Sequence, residues 1–424
     1  MTAIVGVLNK HAIAVAADSA VPIGGGVKIY DKANKVFTLS KHHPVGIAVY
    51  SNASFNSSIP WEIIIKMFRK ELGDEELDSV RAYADKFLTY LEKFKQDKIT
   101  VDDLNYYTSG EVSRLWAFDI LKQMPNSDSD HGLNKADVPK LNKFLTGVNT
   151  NIAPMPVIPE LSKVDKASFV RCYDCALSQI TNEIQNAGGD AALCNLVVET
   201  LFNLFTKDTK IRETRSEFTG ISFFGYGKEE IYPALYHVHI YHCINGLLYW
   251  KEIENVKVEN VNPTAFIVPM AQKDEMLTYI TGIHPVIEGT LLKVTESIIG
   301  QLITQLSNTV RPQSDVIAEN IAKFDIGPLI SKYRQDIIDF KQNNNIQPLI
   351  NTVSSMAKED LAELAENLIY MTSLKRHITP NLESVGGPVD VAVVSKGDGF
   401  IWMKRKHYFN PELNKSFFDN YYEK

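Results

Sequence analysis

Cysteine is scarce. The 424-residue chain holds four, Cys172, Cys175, Cys194 and Cys243, too few to staple a chain of this size, so reduced thiols in a cytoplasm are the expectation. No stretch approaches the roughly 18 consecutive apolar residues of a membrane helix. The opening Met-Thr-Ala-Ile-Val-Gly-Val has no basic segment ahead of an apolar one, so it reads as a strand and not as an export signal. Positive charge is not in excess either. Lys+Arg number 44 against 51 Asp+Glu, a formal net charge of -7, which removes a global drive toward phosphate backbones and with it nucleic acid as a partner. Internal repeats and low-complexity segments are absent. What remains is 45% hydrophobic and 22% charged, the composition of a chain with a packed core.

The apolar pattern sets the order of elements. Ile4 to Leu8 and Ile13 to Ala17 are consecutive apolar runs split by the polar Asn9-Lys-His11 turn, as expected of strands covered on both faces. Val27 to Tyr30, Lys35 to Leu39 and Val45 to Tyr50 read as further strands. Trp61, Ile64, Ile65 and Phe68 fall at helical spacing behind Pro60, and Leu77 to Phe94 makes a second amphipathic helix. Residues from about 101 to 209 read as helix and loop, with a Pro-rich linker at Pro154 to Pro159. Strands return at Ile221–Phe224, Ala234–Ile240 and Leu247–Trp250. Helical periodicity holds from Glu275 to about Arg376, broken at Pro312, Pro328 and Pro348, and Val389–Val394 and Gly399–Met403 form a last hairpin. This order suggests sheets sandwiched by helices.

Thr2 carries the chemistry. Methionine aminopeptidases trim Met1 when the next residue is small, and removal leaves Thr2 with a hydroxyl and a free α-amine on adjacent atoms. A Thr hydroxyl is a poor nucleophile alone, but a nearby amine can take its proton. An unperturbed α-amine has a pKa of about 7.7–8.0, suited to a general base that later acts as acid.

Thr2-Ala-Ile-Val-Gly-Val7, Ile13-Ala-Val-Ala-Ala-Asp-Ser19 and Asn34-Lys-Val36 together resemble the start of proteasome β subunits and their bacterial relatives. The resemblance continues through Phe218 to Trp250 and through Gly386-Gly-Pro-Val-Asp-Val-Ala-Val-Val394 with Gly399-Phe-Ile-Trp402. It implies an αββα four-layer sandwich of the N-terminal nucleophile hydrolase class. The single domain would have its core at about 2–95, 216–305 and 355–405, with helical insertions at about 96–215 and 306–354. It also implies the site: Thr2 as nucleophile, Asp18 as carboxylate, Lys35 as the ammonium that stabilises the alkoxide, and the backbone N–H of Tyr50 as oxyanion donor. Lys28 and Lys32 are rivals to Lys35, which the Asn-Lys-Val setting favours. Ala48 and Asn52 would line the substrate pocket, and the Tyr50 ring would narrow the groove. The reaction implied is hydrolysis of a peptide or amide bond by a threonine-type hydrolase that needs no cofactor and no metal. Self-assembly into a homo-oligomer is implied as well. Two departures stand out: Phe266-Ile-Val-Pro-Met270 has no serine where the family has one, and Leu382 and Val385 stand where it has an Asp and a Ser, with Glu383 and Ser384 displaced. A catalytically silent scaffold of the same fold, or an acylase of small amides, are the alternatives.

Other clusters have plainer readings. His237 and His239 share one face of a strand, expected to be exposed and polar. Cys172-Tyr-Asp-Cys175 lacks the second pair that a zinc site needs. Gly24-Gly-Gly26 lacks the Lys-Ser/Thr of a phosphate loop. Lys404-Arg-Lys406 reads as a solvated strand end.

Overall fold

Ile4–Asn9 and Ile13–Ala17 form strands β1 and β2, and every residue of both is buried. The period of two sorts them. Ala3, Val5, Val7, Ala12, Ala14 and Ala16 pack with Leu361, Ala362, Ala365 and Leu368 of a C-terminal helix, whereas Ile4, Leu8, Ile13, Val15 and Ala17 meet Val36, Ala48, Phe224 and Leu235 of a second sheet. The turn between the strands is tied by Asn9, whose Oδ1 accepts from the His11 N–H at 2.9 Å and whose Nδ2 donates to the carbonyls of Val353 and Met356.

This computed structural model describes residues 2–23, 28–30, 33–40, 42–56, 58–124, 133–209, 218–379, 386–407 and 409–416. Its further strands are β3 (Val21–Ile23), β4 (Lys28–Tyr30), β5 (Val36–Thr38), β6 (Val45–Ser51), β7 (Ser54–Phe55), β8 (Ile59–Pro60), β9 (Phe218–Gly225), β10 (Ala234–Tyr241), β11 (Trp250–Lys257), β12 (Ala265–Ala271), β13 (Asp390–Ser395) and β14 (Gly399–Lys404). Two five-stranded antiparallel sheets result, in the orders β12-β1-β2-β13-β14 and β11-β10-β9-β6-β5. The first sheet joins the chain's beginning to its end: β1 lies beside β12 and β2 beside β13.

Helices α1 (Trp61–Leu72) and α2 (Val80–Lys98) bury Ile64, Phe68, Phe87 and Leu91 against Ile221, Phe223, Tyr236 and Val238 of the second sheet. Ser79 caps α2 by accepting from the Ala82 N–H at 3.1 Å, and Glu230 accepts from Val80 and Gly227. Helices α3 (Val101–Arg114), α4 (Val138–Ile152), α5 (Lys166–Cys172), α6 (Asp174–Asn186) and α7 (Ala191–Thr206) close around a core of their own, which includes Trp116, Leu141, Phe169, Tyr173, Ile180 and Leu201 and meets the sheet through Tyr241, Ile244 and Tyr249. After β12 come α8 (Lys273–Thr281), α9 (Pro285–Val310), α10 (Asp315–Ala322), α11 (Gly327–Lys341), α12 (Gln347–Ser354) and α13 (Lys358–Ile378). Pro328 lies in the first turn of α11, where a missing N–H costs nothing, and Pro348 follows a π-turn, Gln342–Ile346, that joins α11 to α12.

The four-layer αββα sandwich expected from the resemblance is corrected: the observed class is a mixed assembly of helices and antiparallel sheets. The helices of residues 101–206 pack on one another, and α9 to α11 bury little apart from Ser307, Ala318 and Ile330. Two strands also depart from expectation. The strand placed at Leu247–Trp250 begins at Trp250 instead, because β11 alternates half-buried with charged side chains and carries no apolar run. Phe266–Met270 is a strand beside β1, with Pro269 paired to Val5. The Gly24–Gly26 loop, Lys32 and the Leu382–Val385 segment lie outside the described residues.

Candidate active site

Thr2 is 8% exposed and sits two residues before the start of β1. The next residue is clasped to the end of β2 in both directions: the Ala3 N–H donates to Asp18 Oδ1 at 2.9 Å, and the Asp18 N–H donates to the Ala3 carbonyl at 3.1 Å. Asp18 Oδ2 accepts from the N–H groups of Ala20 and Gly386, each at 3.2 Å. Lys35, one residue before β5, donates from Nζ to Asp18 Oδ1 and to the Ala20 carbonyl, both at 2.7 Å. Asp18 and Lys35 are 1% and 4% exposed, so this is an ion pair taken out of water and held by backbone groups. Burial lowers the affinity of Lys35 for its proton, and the Asp18 carboxylate opposes that shift by attraction and by its hydrogen bond. The structure thus brings Asp18 and Lys35 together against the residue that follows Thr2.

The strand ladder bears on the oxyanion donor. Val49 donates its N–H to the Lys35 carbonyl at 2.8 Å. Successive N–H groups of a strand point to opposite sides, so that of Tyr50 turns toward β9, where Tyr50 pairs with Gly220. The next N–H on the Lys35 side is that of Ser51, which closes β6 at φ 74°. No sequence signal singled Ser51 out.

The Tyr50 ring does not face a groove. It fills the space a side chain at Gly220 would need, since a Cβ there would lie 2.1 Å from the ring. Its hydroxyl lies 2.9 Å from Nε2 of His237 and 2.9 Å from Nε2 of His239. One imidazole therefore receives the hydroxyl proton and the other donates an N–H to the oxygen. His237 is fully buried and His239 stacks on Phe218, so the exposed polar face expected of them is corrected: Tyr50 turns it inward. Burial holds their pKa values down, to about 2 for His237 and about 3 for His239. Ala48 is fully buried in the core between the sheets, and Asn52 lines a cavity of about 10 Å³ with Asn56, Thr219 and His242. Among the described residues no group of three His, Cys, Asp or Glu side chains could hold a metal ion. Cys172 is half-buried and Cys175 exposed.

Lys404 is exposed, as a solvated strand end should be, whereas Lys406 is enclosed. Lys404 donates to both carboxylate oxygens of Glu366 at 2.7 Å, and Lys406 pairs with buried Asp390. The sequence hides this because Asp390 and Lys406 meet only after β13 and β14 fold back on each other.

No family model matches the chain, and no curated protein matches it. Solved structures that are similar to it include an Anbu mutant from Hyphomicrobium sp. strain MC1, with 10% identity, 99% of this chain and 94% of that chain covered, and a TM-score of 0.28. Another is the Anbu (ancestral beta-subunit) of Yersinia bercovieri, with 10% identity, coverage of 99% and 93%, and a TM-score of 0.29. A third is the helical assembly of the Anbu complex from Pseudomonas aeruginosa, at 7% identity, coverage of 99% and 93%, and a TM-score of 0.28. These neighbours correct the proteasome β-subunit resemblance: Anbu is a distinct, proteasome-like family. Likeness at this level carries no argument about what this chain does.

Proposed function

We propose that this chain is an N-terminal threonine hydrolase that cleaves peptide or amide bonds through an acyl-Thr2 ester after loss of Met1. The buried Asp18–Lys35 pair, clasped to Ala3, carries this reading. A lysine and a carboxylate are costly to bury together, and a plain strand junction needs neither. In the first step the Thr2 amine takes the hydroxyl proton while Oγ bonds to the substrate carbonyl carbon. The Lys35 ammonium steadies the developing charge, and Asp18 keeps it in place. A backbone N–H at the end of β6, that of Ser51 on the Lys35 side, donates to the carbonyl oxygen in place of the Tyr50 N–H, which faces β9. The amine then passes its proton to the leaving nitrogen as the C–N bond breaks. Water attacks the ester with the same amine as base, releasing acid and restoring Thr2. The chemistry calls for no cofactor.

The test is direct. Intact-mass measurement on untagged protein should show Met1 removed, and an epoxyketone, which needs hydroxyl and amine together, should form a stable adduct at Thr2. Thr2→Ala should abolish the adduct with the fold intact. Met1 retained in protein that still turns over substrate would end this mechanism.

Homo-oligomerisation belongs to the same reading. Helix α9 exposes Ile287, Leu291, Val294, Ile298, Leu302 and Leu306 along one face, and Leu292, Ile299 and Ile303 bordering it are half-buried. A helix with so wide an apolar surface is ordinarily buried, and a second copy of the chain would cover it. Ile298→Glu/Leu302→Glu should lower the mass measured by light scattering to that of a smaller species; an unchanged mass would remove α9 from the interface. No helix among the described residues is long and apolar enough to cross a membrane, and the four free cysteines suit a reducing cytoplasm.

A further inference from the structure

The C-terminal hairpin reaches the same site from the other side. Gly386 donates its N–H to Asp18 Oδ2 at 3.2 Å and accepts from the Ser19 N–H at 3.1 Å, and the Ser19 hydroxyl donates to the Pro388 carbonyl. Two residues on, Asp390 pairs across the sheet with Ala17, the neighbour of Asp18. The chain leaving β14 then folds over Asp390, so that the Lys406 N–H donates to Asp390 Oδ1 at 2.9 Å and Lys406 Nζ bonds Oδ2. The side chains of Asp390 and Lys406 are 3% and 8% exposed. A second buried lysine–aspartate pair therefore abuts the first.

We propose that Asp390 and Lys406 are positioning residues of the Thr2 site: together they lock the β2 end that carries Asp18, and their two charges balance the field in which the Lys35 ammonium sits. The inference rests on the hydrolase reading of Thr2, Asp18 and Lys35. Four charges, two of each sign, occupy one buried region, so removing either member of the outer pair leaves a net charge beside the inner one. In that low-dielectric setting an unbalanced charge is felt by its neighbours. The signs are definite: Lys406 works against the Lys35 proton and Asp390 works for it. The neighbouring cations of the same segment are engaged elsewhere, Lys404 on Glu366 and Arg405 over the Trp402 ring.

A pair that only fills space and a pair that balances charge differ in one measurement, the titration of Lys35 itself. The Cε–Hε NMR signal of Lys35 is assigned with Lys35→Met and followed against pH in the full-length protein. Lys406→Met should move the midpoint up and Asp390→Asn should move it down. The double variant should return it toward the wild-type value, and Lys406→Arg should leave it unmoved. Should Lys406→Met fail to fold, Lys406→Gln, which still donates to Asp390, carries the same upward expectation. Shifts of one sign in both single variants, or none, would overturn the proposal, because loosened packing has no reason to change sign with charge. The readout does not need a reactive Thr2. Opposite shifts with an epoxyketone-inert Thr2 would remove the hydrolase reading and leave the outer pair standing; a reactive Thr2 with an unmoved Lys35 midpoint would do the reverse.

Discussion

Lys35→Met should slow epoxyketone adduct formation at Thr2 by about 10²–10³, the loss typical of one preorganised electrostatic group. The side chain keeps most of its length and loses its charge. Breaking a buried ion pair by removing one partner commonly costs about 3–5 kcal/mol. Here the loss should fall at or below the lower end, because Asp18 keeps the N–H groups of Ala3, Ala20 and Gly386. Rate and stability must therefore be separated. Adding Asp18→Asn removes the orphaned charge but turns an amide NH2 toward backbone N–H groups, so the double variant should gain little stability in a denaturant melt and remain slow. Recovery of the rate along with stability would mean that Lys35 acts only by holding the fold, and the proposed alkoxide role would go.

Acid should weaken this protein through two imidazoles well before its carboxylates are all protonated. His237 and His239 are kept neutral by burial, with pKa values of about 2 and about 3, against about 6.5 in an unfolded chain. The folded values are depressed, so the stabilisation is present above the unfolded pKa and is lost as pH falls below it, the unfolded chain then binding protons that the native chain does not. Each histidine contributes a slope of about 1.4 kcal/mol per pH unit below pH 6.5. Together they should remove about 4 kcal/mol between pH 7 and pH 5. Lys273 and Lys251 work in the same direction as burial, whereas Glu254, paired with His237 across β10 and β11 and pushed above the ordinary carboxylate range by burial, trims the slope. Denaturant midpoints followed from pH 7.5 to pH 4.5 read this out. His237→Gln/His239→Gln should flatten the curve, and an equally steep curve in that variant would place the acid sensitivity elsewhere.

The sequence was most legible where the fold is driven by consecutive apolar residues. β1, β2, β6 and β13 follow from runs such as Ile4 to Leu8 and Val45 to Tyr50, because strands buried on both faces need no polar alternation. β11 was misplaced for the opposite reason: Lys251, Glu252 and Glu254 interrupt it, and its partner β10 was needed to define it. The Asp18–Lys35 contact was implied by the resemblance of short motifs to a known family, whereas the overall class and the family drawn from the same resemblance required correction. A few matched residues around a chain terminus constrain a local junction and leave the remainder of the architecture free. Tyr50, His237 and Lys406 depart from the groove or solvent expected for them. Each carries a polar group, and each is enclosed because a partner brought up by the fold meets it.

The clasp between Ala3 and Asp18 has a consequence for timing. On the reading proposed for Thr2, trimming of Met1 competes with closure of the first sheet, because the Ala3–Asp18 clasp encloses Thr2 once that sheet is complete. The neighbours that close it are late: β12 begins at Ala265 and β13 at Asp390. At a synthesis rate of about 5–20 residues per second, the terminus is free of those partners for roughly 13 seconds at the least and for over a minute at the slow end. Maturation on this account is a race that the order of strands along the chain has already decided in favour of the trimming enzyme.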